Sequence, residues 1–216
     1  MTIAVSTPPA ARRTLVVCGG AHALHDGFTD LLNVLYPLLQ SQFGLSYGAI
    51  GALKTCYSGA MATGQIPSGH LAEQFGGVRI LAIGTMLIAA GYSLAGLSGS
   101  LYGVIAGLLL AGLGASTQHP IGSSLVAAAY HGPRSRTALG TYNFTGDVGK
   151  VLLPALFALV AAALGWQQAL VVMAALAVLG AGIILASLKP IVTHGTTESA
   201  KAVAGQDRPW AYWLLF

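Results

Sequence analysis

Charged side chains are scarce in this sequence. Only 7% of its 216 residues are Asp, Glu, Lys or Arg, and 55% are hydrophobic, with a mean hydropathy of +0.71. A typical soluble domain has about 25% charged residues. The composition therefore excludes an ordinary soluble domain and predicts an all-α membrane protein whose apolar stretches cross a bilayer.

The signatures of several other protein classes are also lacking. The two cysteines, Cys18 and Cys56, lie in separate apolar stretches without a Cys-x-x-Cys spacing, which argues against a thiolate metal site. No basic cluster is interleaved with aromatic residues, and no glycine-rich phosphate loop occurs. We therefore expect no cofactor, no metal and no nucleic-acid partner, and no use of ATP by this chain.

Apolar stretches of membrane-spanning length dominate what is present. About 20 residues suffice to cross a bilayer, and six stretches meet this requirement, numbered here as spans 1 to 6: residues 14–40, 47–70, 79–98, 101–129, 137–164 and 167–188. Residues 1–13 are predicted to form an N-terminal tail. Residues 189–208 form a polar linker, and the aromatic segment 209–216 is expected to open a seventh, truncated helix that starts at the membrane interface.

Positive charge falls on one side of the predicted bundle. If the six spans alternate in direction, one side receives all basic residues that lie outside the spans or at the end of one: Arg12, Arg13, Arg79, Arg134, Arg136, Lys189, Lys201 and Arg208. Basic loops stay on the cytoplasmic side of a membrane. The sequence therefore predicts a multi-pass protein of the inner (plasma) membrane with a cytoplasmic N-terminus.

Five charged residues lie inside the spans: Asp26, Asp30, Lys54, Asp147 and Lys150. Each costs about 2.5–3.5 kcal/mol at the bilayer centre if it is unpaired, and such residues are functional by default. Spans 3 and 6 carry none of them, so the order of polar, polar and apolar spans occurs twice. This order predicts a three-plus-three internal repeat, as transporters often show, with spans 1, 2, 4 and 5 around a cavity.

Span 1 is the most polar of the six. At 100° per residue its polar side chains fall within an arc of roughly 140° of a helix, and they are His22, His25, Asp26, Asp30, Asn33 and Tyr36. One interpretation of these side chains is a structural ion pair that fixes span 1 against its neighbours. The functional hypothesis is that they line a pathway for substrate and protons.

Depth in the membrane predicts which charges meet. At about 1.5 Å per residue, Asp26 and Lys150 lie at one level, and Asp30 and Lys54 lie nearer the outer end, so we expect these two pairs. Asp147 is then left over as a candidate proton site, because an unpaired buried carboxylate tends to hold a proton. Two alternatives stay open: the three aspartates are interchangeable by depth, and Asp147 and Lys150 are spaced for a mutual i,i+3 pair.

Further polar residues in spans 4 and 5 are candidates for the same pathway. His119 precedes Pro120, whose missing N–H frees a backbone carbonyl. We favour a hydrogen bond from His119 to that carbonyl over contact with a ligand. Gln65 in span 2, Ser116 and Asn143 are weaker candidates for the cavity, since single polar residues often serve helix packing.

Two motifs resemble a known family. The run from His22 to Leu45 (His-x-x-His-Asp, then Tyr-Pro-Leu-Leu-Gln-x-x-Phe-x-Leu), together with the Gly-x-Gly-x-Ser-x-x-His-Pro element of residues 112–120, resembles the fosmidomycin-resistance branch of the major facilitator superfamily. The loop after span 2 is similar to the signature of that superfamily in degenerate form, at Gly69, Glu73, Gly76 and Arg79. Here Glu73 replaces Asp, and Gln74 replaces a basic residue.

The resemblance implies a function. It implies the N-terminal six-helix half of a twelve-helix transporter, with a C-terminal six-helix half absent from this chain. It also implies alternating access, a proton gradient as the driving force, and export of a drug or small metabolite. The sequence differs at two places from the motifs of proton antiporters in this superfamily. Leu108 stands where many antiporters have Arg in span 4, and span 5 lacks their Gly-Pro-x-x-Gly-Gly element.

Two other classes are weighed against the transporter. A rhomboid-type intramembrane serine protease is also six-helical, and the Gly-Ala-Ser of residues 114–116 fits its nucleophile superficially. Such an enzyme needs a basic partner for the serine on span 6, and residues 167–188 contain no His, so no enzyme is predicted. A half-sized, non-transporting membrane subunit remains as the alternative.

Overall fold

The computed structural model describes residues 8–130 and 132–188, which form eight helices and, within those ranges, no strand. The helices are α1 (Pro8–Asp30), α2 (Leu32–Phe43), α3 (Tyr47–Phe75), α4 (Gly77–Leu97), α5 (Leu101–Ala115), α6 (Gln118–Ala129), α7 (Pro133–Leu164) and α8 (Trp166–Ser187). α1 and α2 together make span 1, and α5 and α6 together make span 4. The predicted six-span, all-α membrane fold is confirmed.

The predicted boundaries differ by four to six residues at three ends, one of which is the C-terminus of span 2, at Phe75 instead of residue 70. Span 1 begins at Pro8 instead of residue 14, inside the predicted tail, and span 5 begins at Pro133 instead of residue 137. Spans 3 to 6 are long and apolar enough to cross a membrane by length and composition. The predicted linker 189–208 and the start of a seventh helix at 209–216 lie outside the described residues.

Short polar or glycine-containing turns separate the spans. Ser46 and Ser100 cap α3 and α5, because their hydroxyls accept the backbone N–H of Ala49 at 3.2 Å and of Gly103 at 3.1 Å. Gly165, with φ of 91°, lies between α7 and α8 in a conformation that side chains disfavour.

The three-plus-three repeat is visible in where the helices break. Spans 1 and 4 are each interrupted once, at Leu31 and at Ser116–Thr117, and each has a proline beyond the break. Spans 2 and 5 are continuous, and each has a proline in its second half, Pro67 and Pro154. Packing repeats as well: α1 packs on α7 as α5 packs on α3, so span 1 on span 5 matches span 4 on span 2.

Glycines bring α1 and α7 close together. A Cβ on Gly149 would lie 1.9 Å from the carbonyl oxygen of Ala23, and a Cβ on Gly146 would lie 2.7 Å from a carboxylate oxygen of Asp26. Both distances are far below van der Waals contact. The absence of a side chain at these two positions therefore lets span 5 reach the backbone and the buried carboxylate of span 1.

Two apolar clusters of buried side chains fill the ends of the bundle. One contains residues from the start of α1 and α4 and from the ends of α6 and α8, including Cys18, Leu81, Leu125 and Ile184. The described basic residues outside the apolar stretches or at the end of one, Arg12, Arg13, Arg79, Arg134 and Arg136, lie near the starts of α1, α4 and α7. That they mark the cytoplasmic side stays a prediction.

Candidate functional site

Asp26 is the centre of a buried polar cluster between α1, α6 and α7. The residue is only 7% exposed. Its Oδ1 lies 2.9 Å from His25 Nδ1, 3.3 Å from His22 Nε2 and 4.0 Å from His119 Nε2. Its Oδ2 lies 3.3 Å from Lys150 Nζ. The predicted pair of Asp26 and Lys150 is confirmed, and three imidazoles surround the same carboxylate.

Backbone carbonyls orient the two buried histidines. His22 Nδ1 lies 3.0 Å from the carbonyl oxygen of Tyr142 on α7, and His25 Nε2 lies 2.9 Å from that of Ala115. Ala115 ends α5, where the last carbonyls have no partner in their own helix. Because a carbonyl only accepts, each of these nitrogens must carry a hydrogen.

The second nitrogen of each of these rings faces Asp26. The contact with His25 Nδ1 has the geometry of a hydrogen bond. His22 Nε2 is buried, and among the described residues it has no hydrogen-bond partner, although Asp26 Oδ1 is within ion-pair distance at 3.3 Å. The distance is short enough for an electrostatic contact, but the direction is poor for a hydrogen bond.

Aromatic rings enclose the cluster. The His22 ring stacks on Tyr142 with centroids 4.2 Å apart and planes 13° apart, and His119 meets His22 and His25 edge-on at 5.4 and 4.8 Å. The Tyr142 hydroxyl lies 3.3 Å from Gln118 Nε2. These contacts pack against the two imidazoles that surround Asp26 and restrict how their rings can turn.

The other side of the cluster is open. The side chains of Lys150 and His119 are 43% and 46% exposed, and Lys150 Nζ also contacts Asp147 Oδ1 at 3.0 Å. Asp147 is itself 68% exposed. The prediction that Asp147 is a buried, unpaired carboxylate is therefore wrong. Lys150 bridges the buried Asp26 and the exposed Asp147, so the i,i+3 pair and the interhelical pair coexist.

The second predicted pair does not form. Asp30 is half-buried and Lys54 is exposed, and no ion pair joins them in the described part of the chain. Position along a helix does not fix the direction in which a side chain points, so two residues predicted at one depth need not meet. Asn143 lies on the exposed face of α7, next to Tyr142 in sequence.

The prediction for His119 is also wrong. Its ring makes no hydrogen bond to a carbonyl in residues 8–130 and 132–188, and it lies against His22 and His25 instead. Ser116, a weaker candidate, has a packing role: its Oγ lies 2.8 Å from Ser68 Oγ and joins spans 2 and 4.

The loop signature shapes the turn between α3 and α4. Gly76 has φ of 92° and lies between the two helices, so a glycine is required there. Glu73 is exposed and lies 3.8 Å from His70. Gly69 has open space around it, and Arg79 is exposed. None of these four residues lies in the cluster around Asp26.

Sequence reasoning missed the contributions of Tyr142, Gln118 and Gly146, and of the carbonyl of Ala115. A backbone carbonyl leaves no trace in a sequence, and a glycine such as Gly146 looks like any of the other 28. The Tyr142 ring could have been suspected, because it precedes Asn143 on the polar stretch of span 5.

Part of the cluster has the donor types of a metal site. Ligand atoms of His22, Asp26 and His119 lie within 4.8 Å of one another, and imidazole with carboxylate suits several divalent metals. The ammonium of Lys150, 3.3 Å from the same carboxylate, opposes a divalent cation there.

The fold and the site together define a class. Six spans in two repeats of three, with a buried carboxylate and its histidine and lysine partners between spans 1, 4 and 5, are the architecture of half a secondary transporter. The chain belongs to the Major Facilitator Superfamily, whose family model matches residues 19–216. That family consists of transporters, not enzymes, which removes the protease alternative.

Individual relatives agree with this assignment. The chain is 31% identical over 165 residues to the fosmidomycin resistance protein of Escherichia coli (strain K12), a match covering 75% of this chain and 40% of that protein. It is 27% identical over 192 residues to the gallate transporter of Pseudomonas putida, covering 86% of this chain and 40% of the relative. The resemblance to the fosmidomycin-resistance branch is confirmed.

Solved structures show the same fold. A crystal structure of a peptide transporter in complex with sulfate superposes with a TM-score of 0.70 at 19% identity, covering 94% of this chain and 43% of that one. The chain thus spans about 40% of the length of the curated relatives it matches.

Proposed function

We propose that this chain supplies the N-terminal half of a proton-driven exporter of a small organic compound. In this proposal the six spans move as one body against a C-terminal six-helix half, and a cavity between the two halves opens to each side of the membrane in turn. The protein lies in the inner (plasma) membrane with its N-terminus in the cytoplasm, because positive charge gathers at that end.

The observation that carries the proposal is the cluster around Asp26. A buried carboxylate, three histidines and a lysine are costly inside a membrane, and such groups mark substrate and ion pathways. The cluster is closed on one side by Tyr142 and open on the other through Lys150 and His119. A proton or substrate that binds from one side of the membrane and leaves on the other must reach the cluster from water, and the exposed side chains of Lys150 and His119 provide that opening.

The relatives supply the class of cargo. The Escherichia coli protein is named for fosmidomycin resistance and the Pseudomonas putida protein for gallate, and both are small polar organic compounds. Lys150 and His119 place hydrogen-bond donors at the open edge, where such a compound can be held. Asp30, Lys54 and Asn143 stay in the proposal as candidates for the cavity wall, outside the cluster.

The test measures accumulation of fosmidomycin and of gallate in bacteria that lack their own exporters. Cells that express this chain together with its C-terminal six-helix half should retain less of at least one compound than cells with an empty vector, and a protonophore should remove the difference. The Lys150→Ala variant, at equal abundance in the membrane, should behave like the empty vector. Equal retention in all cells would contradict export and would favour the non-transporting subunit.

A further inference from the structure

The hydrogen-bond geometry around Asp26 determines how many hydrogens His22, His25 and Asp26 must carry together. Four imidazole nitrogens of His22 and His25 each face an oxygen: one carbonyl for each ring, and Asp26 Oδ1 for both rings. A neutral imidazole carries one hydrogen. The two carbonyls, which cannot donate, use both of the hydrogens that neutral rings would provide.

An ionised Asp26 beside two neutral histidines is therefore unfavourable. The lone pair of His25 Nδ1 would then point at Asp26 Oδ1 at 2.9 Å with no hydrogen between the two atoms. His22 Nε2 would lie 3.3 Å from the same oxygen without a hydrogen bond to it. Buried acceptors that face each other in this way lose their hydrogen bonds and repel. One additional proton removes the conflict at the shorter contact, whether it resides on His25 Nδ1 or on Asp26 Oδ1.

We infer that Asp26 and His25 share one bound proton, and that this pair is the site where the coupling proton resides. The role in coupling rests on the proposed function, whereas the bound proton rests on the geometry alone. The site replaces Asp147, the carboxylate that the sequence favoured.

The ionisable groups that face the pair come from three elements. α1 contributes His22, and α6 contributes His119 at 4.0 Å from Asp26 Oδ1. α7 contributes Lys150 and, behind it, Asp147. In the described residues, α8 and α4 place no ion pair on Asp26.

Lys150 connects the proton to the open edge. When the proton sits between Asp26 and His25, the carboxylate is neutralised and holds Lys150 less tightly, so the ammonium shifts toward Asp147. When the proton leaves, Asp26 regains its charge and draws Lys150 back over the opening. The position of the Lys150 ammonium, between the buried Asp26 and the exposed Asp147, therefore depends on whether the pair of Asp26 and His25 holds its proton.

The first experiment detects the proton without transport. In the purified protein in lipid nanodiscs at neutral pH, nitrogen-15 NMR of histidine and infrared spectroscopy of carboxyl groups are recorded together. We expect either a doubly protonated histidine or a protonated carboxyl, and we expect the signal to vanish in Asp26→Asn. Asp30→Asn, a matched change one turn away on the same helix, should retain it.

Two results would overturn the bound proton. One is the absence of both signals in the wild type, which means two neutral histidines and an ionised carboxylate. The other is a stoichiometric metal ion in the purified protein, measured by mass spectrometry and lost in Asp26→Asn, since a metal would then occupy the place assigned to the proton. His25→Gln provides a second variant should Asp26→Asn fail to fold.

The second experiment tests coupling in liposomes with fosmidomycin as the probe. Asp26→Asn and His25→Gln should lose accumulation driven by a pH gradient, down to the level of protein-free liposomes. They should retain exchange of labelled for unlabelled probe, which moves no net proton. Gradient-driven accumulation by both variants would refute the coupling site, whereas a wild type that moves no probe in either assay would refute the proposed function and leave the spectroscopic result standing.

Discussion

Asp26 and Asp30 are the same residue type, one helical turn apart on α1, yet their surroundings differ in every respect that matters for an ion. Asp26 is buried among imidazoles and an ammonium group. Asp30 is half-buried, and the described residues give it no ion pair. The difference arises from the neighbouring spans, because the broken span 4 and the glycines of span 5 approach the helix at the level of Asp26.

The comparison teaches that a charge in an apolar stretch marks a site only where other helices come close. Gly146 admits the Asp26 carboxylate at a position that any side chain would fill. The break after Ala115 supplies a carbonyl that fixes His25. Asp30 is the last residue of α1 before the break at Leu31, where no such partners converge on it.

The largest effect is expected from removing the two carboxylates in turn. Asp26→Ala leaves two buried imidazoles and Lys150 without their common partner, and breaking a buried pair in this way costs about 3–5 kcal/mol. Asp30→Ala should change the stability by no more than about 0.5 kcal/mol. Thermal unfolding of both variants in detergent measures the difference. Equal losses would mean that the cluster does not distinguish the two positions.

Glycine packing is the next target. Gly149→Ala places a methyl group 1.9 Å from the carbonyl of Ala23, and such overpacking costs about 3 kcal/mol, at the upper end of the usual range. Gly140→Ala is the matched control on the same helix, because its Cβ would meet nothing within 4 Å. The control should be neutral or gain up to about 1 kcal/mol from helix propensity.

The yield of monodisperse protein and its unfolding temperature measure this pair of variants. A Gly149→Ala protein as stable as Gly140→Ala would show that α1 and α7 can separate without penalty. The close approach that distinguishes Asp26 from Asp30 would then not be needed for the fold.

The two lysines extend the comparison. Lys150→Met removes contacts at 3.3 and 3.0 Å to two carboxylates, but the side chain is 43% exposed, so the loss of stability should be only about 1 kcal/mol. Lys54→Met should have no measurable effect on stability, because Lys54 is exposed and the described residues offer it no ion pair. Parallel unfolding measurements test this, and an equal loss in Lys54→Met would revive its rejected pairing with Asp30.

The sequence predicted one of the two ion pairs from the positions of residues along the helices, but it did not predict the directions of the side chains. Residue spacing placed Asp26 and Lys150 at one depth, and the structure joins them. The same reasoning joined Asp30 to Lys54 and failed, because the rotation of each helix about its axis depends on packing that a single sequence does not contain. The repeat of three spans was readable because it rests on the order of polar and apolar stretches.

The hydrogen-bond partners of the two buried histidines could not be predicted from the sequence, for a different reason. The tautomers of His22 and His25 are fixed by backbone carbonyls of Tyr142 and Ala115, and these exist at every position. Only the helix break and the glycine contacts select which carbonyls face the rings. The number of protons at the site therefore depends on the three-dimensional arrangement of these carbonyls and not on residue types alone.

The smallest effect is expected at a third carboxylate, Glu73, which lies 3.8 Å from His70 on α3. This pair has the same chemistry as Asp26 with His22, and both partners lie within one turn of a helix. Its side chains, however, are 65% and 71% exposed, where water screens the charges and an ion pair contributes about 0–1 kcal/mol. Glu73→Gln should therefore shift the unfolding free energy by less than about 0.5 kcal/mol. A loss as large as that of Asp26→Ala would show that histidine–carboxylate chemistry alone, without burial, accounts for the cluster on span 1.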